Sequence, residues 1–232
     1  MYARYVKRPL DFVLALIALI VLSPVLLVLI IVGAIMMKGN PFFTQVRPGK
    51  DEKLFKMIKF RTMTQEKDEH GNLLPDEQRL NKYGKFLRSS SLDELPELVN
   101  IAVSNMSLIG PRPQLVIDML FMDEFQRVRH TVRPGLSGLA QVNGRNCISW
   151  EQKLEYDLEY IKNITFVGDM KIIFTTIVNV LKKEDINTEG METAEDLGDY
   201  LLRTGKVNVD EYEKTLFSIN NIIKNNIEVE RK

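Results

Sequence analysis

The residues best suited to chemistry in this sequence are the adjacent acids Asp93-Glu94, within Ser91-Leu92-Asp93-Glu94-Leu95-Pro96-Glu97-Leu98-Val99-Asn100. Two neighbouring carboxylates can hold Mg²⁺, which normally binds through one or two carboxylates plus substrate phosphates. A carboxylate can also attack phosphorus and form an acyl-phosphate intermediate. A purely structural role is just as ordinary, because acids in the first turn of a helix complement its dipole. Arg88, Arg112, Arg133 and Arg145 all stand beside Gly, Pro or Ser in loop contexts. Arginine is permanently charged and bidentate, the side chain best matched to a diphosphate. Each taken singly reads as a surface arginine, whereas the set around one acid pair favours a phosphate site. Lys59 and Arg61 are weaker candidates, equally suited to lying near anionic headgroups.

Other chemistries find little support. There is no GxxxxGK[ST] and no GxGxxG after a strand, so no glycine loop cradles phosphate. Two well-separated histidines, His70 and His130, and the single Cys147 argue against a zinc site, a disulfide framework or a Ser-His-Asp arrangement. A formal net charge of zero gives no reason to expect nucleic acid as a partner. At 232 residues the chain can bury one substantial core, which suits one catalytic domain.

The elements that must position these residues begin with an apolar run. From Phe12 to Met37 there is no charged residue. The run is too long for a signal peptide, and about 20 apolar residues would cross a bilayer as a helix. Ser23-Pro24 interrupts it, and proline kinks or breaks a helix while a neighbouring serine can bond the carbonyl it frees. Basic residues flank both ends, Arg4, Lys7 and Arg8 before and Lys38, Arg47 and Lys50 after. The positive-inside rule then gives no clear orientation for a span, and is satisfied if both ends stay in the cytosol. Composition leaves a kinked span and a returning hairpin both open.

Past Gly39-Asn40-Pro41, residues 42–47 read as an extended piece and Leu54 to Arg61 as a strand. Residues 64–78 read as a surface loop, and a helix is predicted from Asn81 to Arg88. Ser91 with Glu94 predicts a capping box opening a helix whose buried stripe is Leu95, Leu98 and Val99. Gly110-Pro111-Arg112-Pro113 and Val132 to Gly138 are stiff loops, with one amphipathic helix predicted between them from Gln114 to Arg129. Trp150 to Ile161 and Asp169 to Leu181 are further helices, suited either to a core or to a bilayer surface with Trp150 and Tyr156 at headgroup level.

The stretches KRPLDFVLALIALIVLSPVLL, FKMIKFRTM, LRSSSLDELPELVNI, MSLIGPRPQL and VRPGLSGLAQVNGR, in this order over residues 1 to about 185, carry a resemblance. The chain resembles the minimal members of the small monotopic phosphoglycosyl transferases, bacterial enzymes that start glycan assembly on undecaprenyl phosphate. The resemblance implies a mostly helical α+β fold. Residues 1–38 would form a re-entrant membrane helix-break-helix bent at Ser23-Pro24. Residues 39–186 would form a compact cytosolic catalytic domain with a few short strands and amphipathic interface helices, at the bacterial inner membrane. It further implies a Mg²⁺-dependent transfer of sugar-1-phosphate from a UDP-sugar to a polyprenyl phosphate. Asp93 would attack the β-phosphorus, releasing UMP and leaving a covalent phosphosugar intermediate. Glu94 would bind Mg²⁺ and assist deprotonation of the lipid phosphate. Arg112, with Arg88 and Arg145, would bind phosphate groups, and Lys7 and Arg8 would meet lipid headgroups. Two rival readings are the same transfer in one Mg²⁺-assisted step, and a non-catalytic membrane scaffold. A membrane-facing apolar surface also leaves a homodimer open. The resemblance gives residues 187–232 no role; they read as an extension, or as a helical piece that packs on the domain, since Val207 to Ile223 is apolar enough to fold.

Overall fold

In the computed structural model, which describes residues 1–144, 148–182 and 195–218, the apolar N-terminal run is not one helix. A π-helical stretch, Tyr2–Val6, leads into α1 (Lys7–Val21), and after Leu22 the chain continues as α2 (Ser23–Met36). The two helical segments meet at a bend of 64°. Its cause is local: Pro24 has no N–H for the Ile20 carbonyl, and the Ser23 hydroxyl donates to that carbonyl instead, at 2.7 Å. Among the described residues no single helix is long and apolar enough to cross a membrane.

Each arm of the bend buries a narrow stripe. Ala15 of α1 joins Phe55, Met57, Leu98, Ile101 and Met106 in one core cluster. Leu29 of α2 joins Met37, Phe60, Tyr83 and Leu87 in another, and the Tyr83 hydroxyl donates to the Leu29 carbonyl at 2.8 Å. Each of Leu87 and Ile101, wholly buried, contributes about 1.5–3 kcal/mol. The opposite faces, including Ile17, Ile20, Leu27, Val28, Ile31 and Ile35, are exposed.

The extended piece and the strand expected here are β1 (Phe42–Pro48) and β2 (Leu54–Phe60), which pair as an antiparallel hairpin with Phe42 opposite Phe60 and Pro48 opposite Leu54. α3 (Asp76–Arg79) and α4 (Lys82–Ser90) follow, the latter capped by Asn81, whose side chain accepts from the Gly84 amide. The capping box predicted at Ser91 does not form. Ser91 lies in the left-handed region (φ 55°) and ends α4, and the acids sit in a 3₁₀ turn, Leu92–Glu94. The next helix, α5 (Glu97–Ala102), starts only after Pro96, which tolerates that place because the first N–H of a helix has no partner. Leu95 and Leu98 pack inward as predicted, whereas Val99 is exposed.

β3 (Ser107–Ile109) pairs in parallel with β4 (Gly135–Ser137). The single helix predicted between them is instead α6 (Val116–Phe121), α7 (Glu124–Arg127) and a 3₁₀ turn, Val128–Thr131. Met122 is extended and Asp123 opens a new capping box with Gln126, so the local cap overrides the longer periodicity. α8 (Leu139–Val142), α9 (Trp150–Lys162) and α10 (Phe166–Lys182) complete the domain. Trp150, Leu154 and Leu158 of α9 are buried, so this stripe is core rather than bilayer surface. On α10 only Asp169 and Ile172 are buried, while Phe166, Val167, Phe174, Ile177 and Leu181 are exposed. Of the C-terminal extension, 195–218 is described: α11 (Leu197–Arg203) and a helical stretch over 209–218, both against the domain. The mostly helical α+β class with a few short strands matches the expectation.

Candidate active site

Asp93 and Glu94 occupy the break between α4 and α5. Leu92 and Leu95 on either side pack into the core beneath, which fixes the short turn and leaves both acids partly accessible. α5 is registered on β2 by Asn100, whose side chain accepts from the Ile58 amide at 3.0 Å and donates to the Lys56 carbonyl at 2.8 Å. Lys59 lies two residues beyond buried Met57, on the same side of the strand, so it points inward rather than toward solvent. Its Nζ reaches Glu94 Oε1 at 2.7 Å and Glu97 Oε1 at 3.1 Å.

Arg112 arrives from the other side. Its Nη2 donates to the same Glu94 Oε1 at 2.8 Å. The loop carrying it is sewn to the second stiff loop: the Gly110 amide donates to the Ser137 carbonyl and the Gly135 amide to the Pro111 carbonyl, each at 2.9 Å. A Cβ on Gly135 would come within 2.1 Å of the Gly110 nitrogen, so glycine is required there. Arg129, buried and paired with Asp157 of α9 at 2.7 Å, donates through Nη2 to the Arg112 carbonyl at 2.6 Å.

The neighbouring acids are held in opposite states. Burial would raise the Glu94 carboxyl, yet Arg112 and Lys59 hold it far below the usual carboxylate range. Burial, with the Glu94 charge beside it, pushes Asp93 up to about 6. Among the described residues no side chain donates a hydrogen bond to Asp93. Burial also raises Glu97 to about 7, Lys59 offsetting part of the effect. Burial works against the charge on Lys59, but Glu94, Glu97 and Asp93 together outweigh it and the ammonium is retained.

Of the residues expected at the site, the structure therefore gathers Asp93, Glu94, Lys59 and Arg112. Arg88 donates to Thr62 Oγ1 at 3.1 Å, just past the end of β2. Arg133 donates to the Ser104 carbonyl at 2.8 Å, beyond the C-terminal end of α5 rather than at the acids. Arg145 lies outside the described residues. Lys7 and Arg8, expected at headgroups, are engaged with protein: Lys7 Nζ pairs with buried Asp169 at 2.7 Å, and Arg8 donates to the Ile101 and Ala102 carbonyls at 2.7 and 3.1 Å. Two residues near the acids were not singled out for chemistry from the sequence, Arg47 having counted only as a basic flank of the apolar run. Glu97 could have been found from its spacing, one helical turn beyond Asp93-Glu94. Arg47 of β1 lies close enough to Arg112 to feel its charge, and burial lowers its guanidinium to about 10. Arg47 Nη2 donates to Gln45 at 2.7 Å, and its buried Nε has no acceptor among the described residues.

No three acidic, histidine or cysteine residues converge among the described residues, so there is no all-protein metal cage. Mg²⁺ needs less, commonly one or two carboxylates with water and substrate phosphates completing its shell. Asp93 and Glu94 fit that requirement, no side chain among the described residues competing for Asp93.

The sequence matches the family described as bacterial sugar transferase over residues 2–183. It is 46% identical over 189 residues to the uncharacterized sugar transferase EpsL of Bacillus subtilis (strain 168), covering 82% of this chain and 94% of that protein. It is 40% identical over 181 residues to a UDP-glucose:undecaprenyl-phosphate glucose-1-phosphate transferase of Klebsiella pneumoniae, covering 74% of this chain and 39% of that one. A UDP-N-acetylgalactosamine-undecaprenyl-phosphate N-acetylgalactosaminephosphotransferase of Aeromonas hydrophila is 36% identical over 188 residues, covering 76% and 44%. The chain thus spans nearly all of the Bacillus relative but less than half of the other two.

Proposed function

This chain belongs to the bacterial sugar transferase family, and on that footing we propose that it transfers a sugar-1-phosphate from a UDP-sugar to undecaprenyl phosphate, through a covalent phosphosugar on Asp93. The observation that carries this reading is the split between neighbouring acids. Environments that drive two carboxyls apart assign them different roles. Glu94 is fixed as an anion between two cations, whereas among the described residues no side chain donates to Asp93, which keeps lone pairs for an incoming electrophile.

In the first step an Asp93 oxygen attacks the β-phosphorus, and the bond to the bridging oxygen breaks as UMP leaves. In the second, an oxygen of the lipid phosphate attacks the same phosphorus and the aspartyl bond breaks, restoring the carboxylate. Arg112, its side chain 43% exposed, offers guanidinium hydrogens to donor phosphate while remaining anchored on Glu94. Lys59 lies deeper and sets the charge of the acids rather than meeting substrate. The strong hold on Glu94 suits metal binding and charge balance better than the proton acceptance expected of it. Mg²⁺, when bound beside Asp93 and Glu94, supplies charge neutralisation for the diphosphate.

The bent helix pair supports a re-entrant hairpin at the cytosolic face of the bacterial inner membrane. Its outward faces and that of α10 expose apolar side chains far beyond the scattered ones of an ordinary surface. The acceptor favours such an arrangement, since each CH₂ drawn from lipid into water costs about 0.8 kcal/mol.

The test is trapping without acceptor. Purified protein incubated with a panel of sugar-labelled UDP-sugars and Mg²⁺, but no lipid, is expected to release UMP and retain label, and Asp93→Asn to do neither. UMP formation only when lipid is present, with no labelled protein, would replace this mechanism with direct transfer.

A further inference from the structure

Residues 195–218 lie beyond the stretch matched to the family, which ends at 183, yet they are built into the domain. Leu197, 2% exposed, shares a core cluster with Met122, Trp150 and Leu154. Gly198 lies so close to Phe121 that a Cβ there would come within 2.5 Å of the ring. Tyr212 stacks on the same ring, 5.6 Å between centroids.

Polar ties run from this segment toward the active site by two routes. Asp118 is 1% exposed. Its Oδ2 accepts the Leu115 amide at 2.8 Å, closing the start of α6 directly after the Arg112 loop. Its Oδ1 accepts the Leu197 amide, also at 2.8 Å, so one buried carboxylate fastens that loop's exit to the segment. The second route passes along α9. The Trp150 indole N–H donates to the Glu195 carbonyl at 3.1 Å, and the Tyr200 hydroxyl donates to Glu151. Farther along α9, Asp157 holds Arg129, which donates to the Arg112 carbonyl. The first route ends at Leu115, three residues past Arg112, and the second at the Arg112 carbonyl itself.

We propose that the C-terminal segment is a working part of the donor-phosphate site, with Asp118 and Leu197 as positioning residues that hold the Arg112 loop through α6 and α9. This rests on the phosphate role given to Arg112 above. A tail that merely rests on the surface would leave donor binding unchanged when loosened. A bracing segment couples to the donor in both directions, because coupling free energy is reciprocal.

Trp150 is the only tryptophan in the chain and bonds the segment directly, so its fluorescence reports whether the segment is seated. In the full-length protein, Leu197→Ala is expected to increase acrylamide quenching of Trp150. It should also raise the KM for UDP-sugar about fivefold or more, with kcat changed less than about twofold. Reciprocally, UMP added to the unaltered protein should reduce Trp150 quenching. If Leu197→Ala does not fold, as judged by circular dichroism, Tyr200→Phe with Lys206→Ala loosens only the partly exposed ties to Glu151 and is expected to act in the same directions. Trp150 freed while the KM stays unchanged would overturn the bracing role. An unaltered protein that neither transfers sugar-phosphate nor releases UMP would instead overturn the enzymatic reading.

Discussion

Glu97→Gln should make the protein more stable at alkaline pH, although it removes a charged partner from an ion pair. The Glu97 side chain is 3% exposed, and its carboxyl is raised from 4.5 to about 7 because burial outweighs the attraction of Lys59. In the folded chain it therefore binds its proton more tightly than in the unfolded chain. Between about 4.5 and 7 the folded state carries the extra proton, so stability falls as pH rises through that window and then levels off. A rise of that size corresponds to about 3 kcal/mol, and glutamine, neutral throughout, avoids it. Allowing for the weakened hold on Lys59, we expect a gain of about 2 kcal/mol at pH 8, or about 4–8 °C in Tm. The gain should shrink toward zero as pH falls to 4.5. Thermal unfolding of both proteins across pH 4.5–8, in detergent with EDTA present, measures it. A Tm for Glu97→Gln that falls at pH 8, or a difference that does not grow with pH, would show that the carboxylate is adequately paired and refute the reasoning.

Lys59→Met, under the same conditions at pH 8, should lower Tm by about 6–12 °C, because removing one partner of a buried ion pair costs about 3 kcal/mol or more; Lys59→Arg should recover part of this, and unchanged Tm values would mean Arg112 alone balances the acids. The hairpin topology is tested with single cysteines replacing Ala3 and Lys50, both exposed and on opposite sides of the apolar run, in a Cys147→Ser background. An impermeant thiol reagent should leave both unlabelled in intact cells and label both in inverted vesicles, and outside labelling of Ala3→Cys alone would mean the run spans.

What the sequence disclosed and what it hid follow from the range of the interactions involved. The bend at Ser23-Pro24, the extended segments that became β1 and β2, and the Trp150 helix depend on neighbours a few residues apart, and motif and periodicity found them. The state of the acid pair depends on partners 35 and 18 residues away, Lys59 and Arg112, so adjacent acids looked alike until the fold gave each a separate environment. Period-two alternation in Leu54 to Arg61 suggested a basic face, but Lys59 falls on the buried side, where only a carboxylate beneath it makes burial tolerable. The capping box at Ser91 failed for a related reason. A chain that must end α4 and begin α5 within a few residues needs a left-handed residue there, and that geometry removes the cap.

The placement of Lys7 and Arg8 links the apolar hairpin to the chemistry. Arg8 donates to the Ile101 and Ala102 carbonyls at the C-terminal end of α5, where a cation also complements the helix dipole. The other end of that helix begins at Glu97, directly beyond the Leu92–Glu94 turn that carries the acid pair. Asp11, one turn past Lys7 on α1, is buried and accepts from the Ser107 hydroxyl at 2.5 Å and the Leu108 amide at 3.3 Å, at the strand that leads into the Arg112 loop. One face of α1 thus holds both chain segments that supply the site, α5 behind the acids and β3 ahead of the arginine. An anchor that served only for attachment could be joined through a flexible linker; here its polar residues are committed to orienting α5 and β3. Under the proposed function, the orientation of the hairpin in lipid and that of Asp93 toward its donor would therefore be a single geometric variable, as transfer between a water-soluble donor and a membrane-bound acceptor requires.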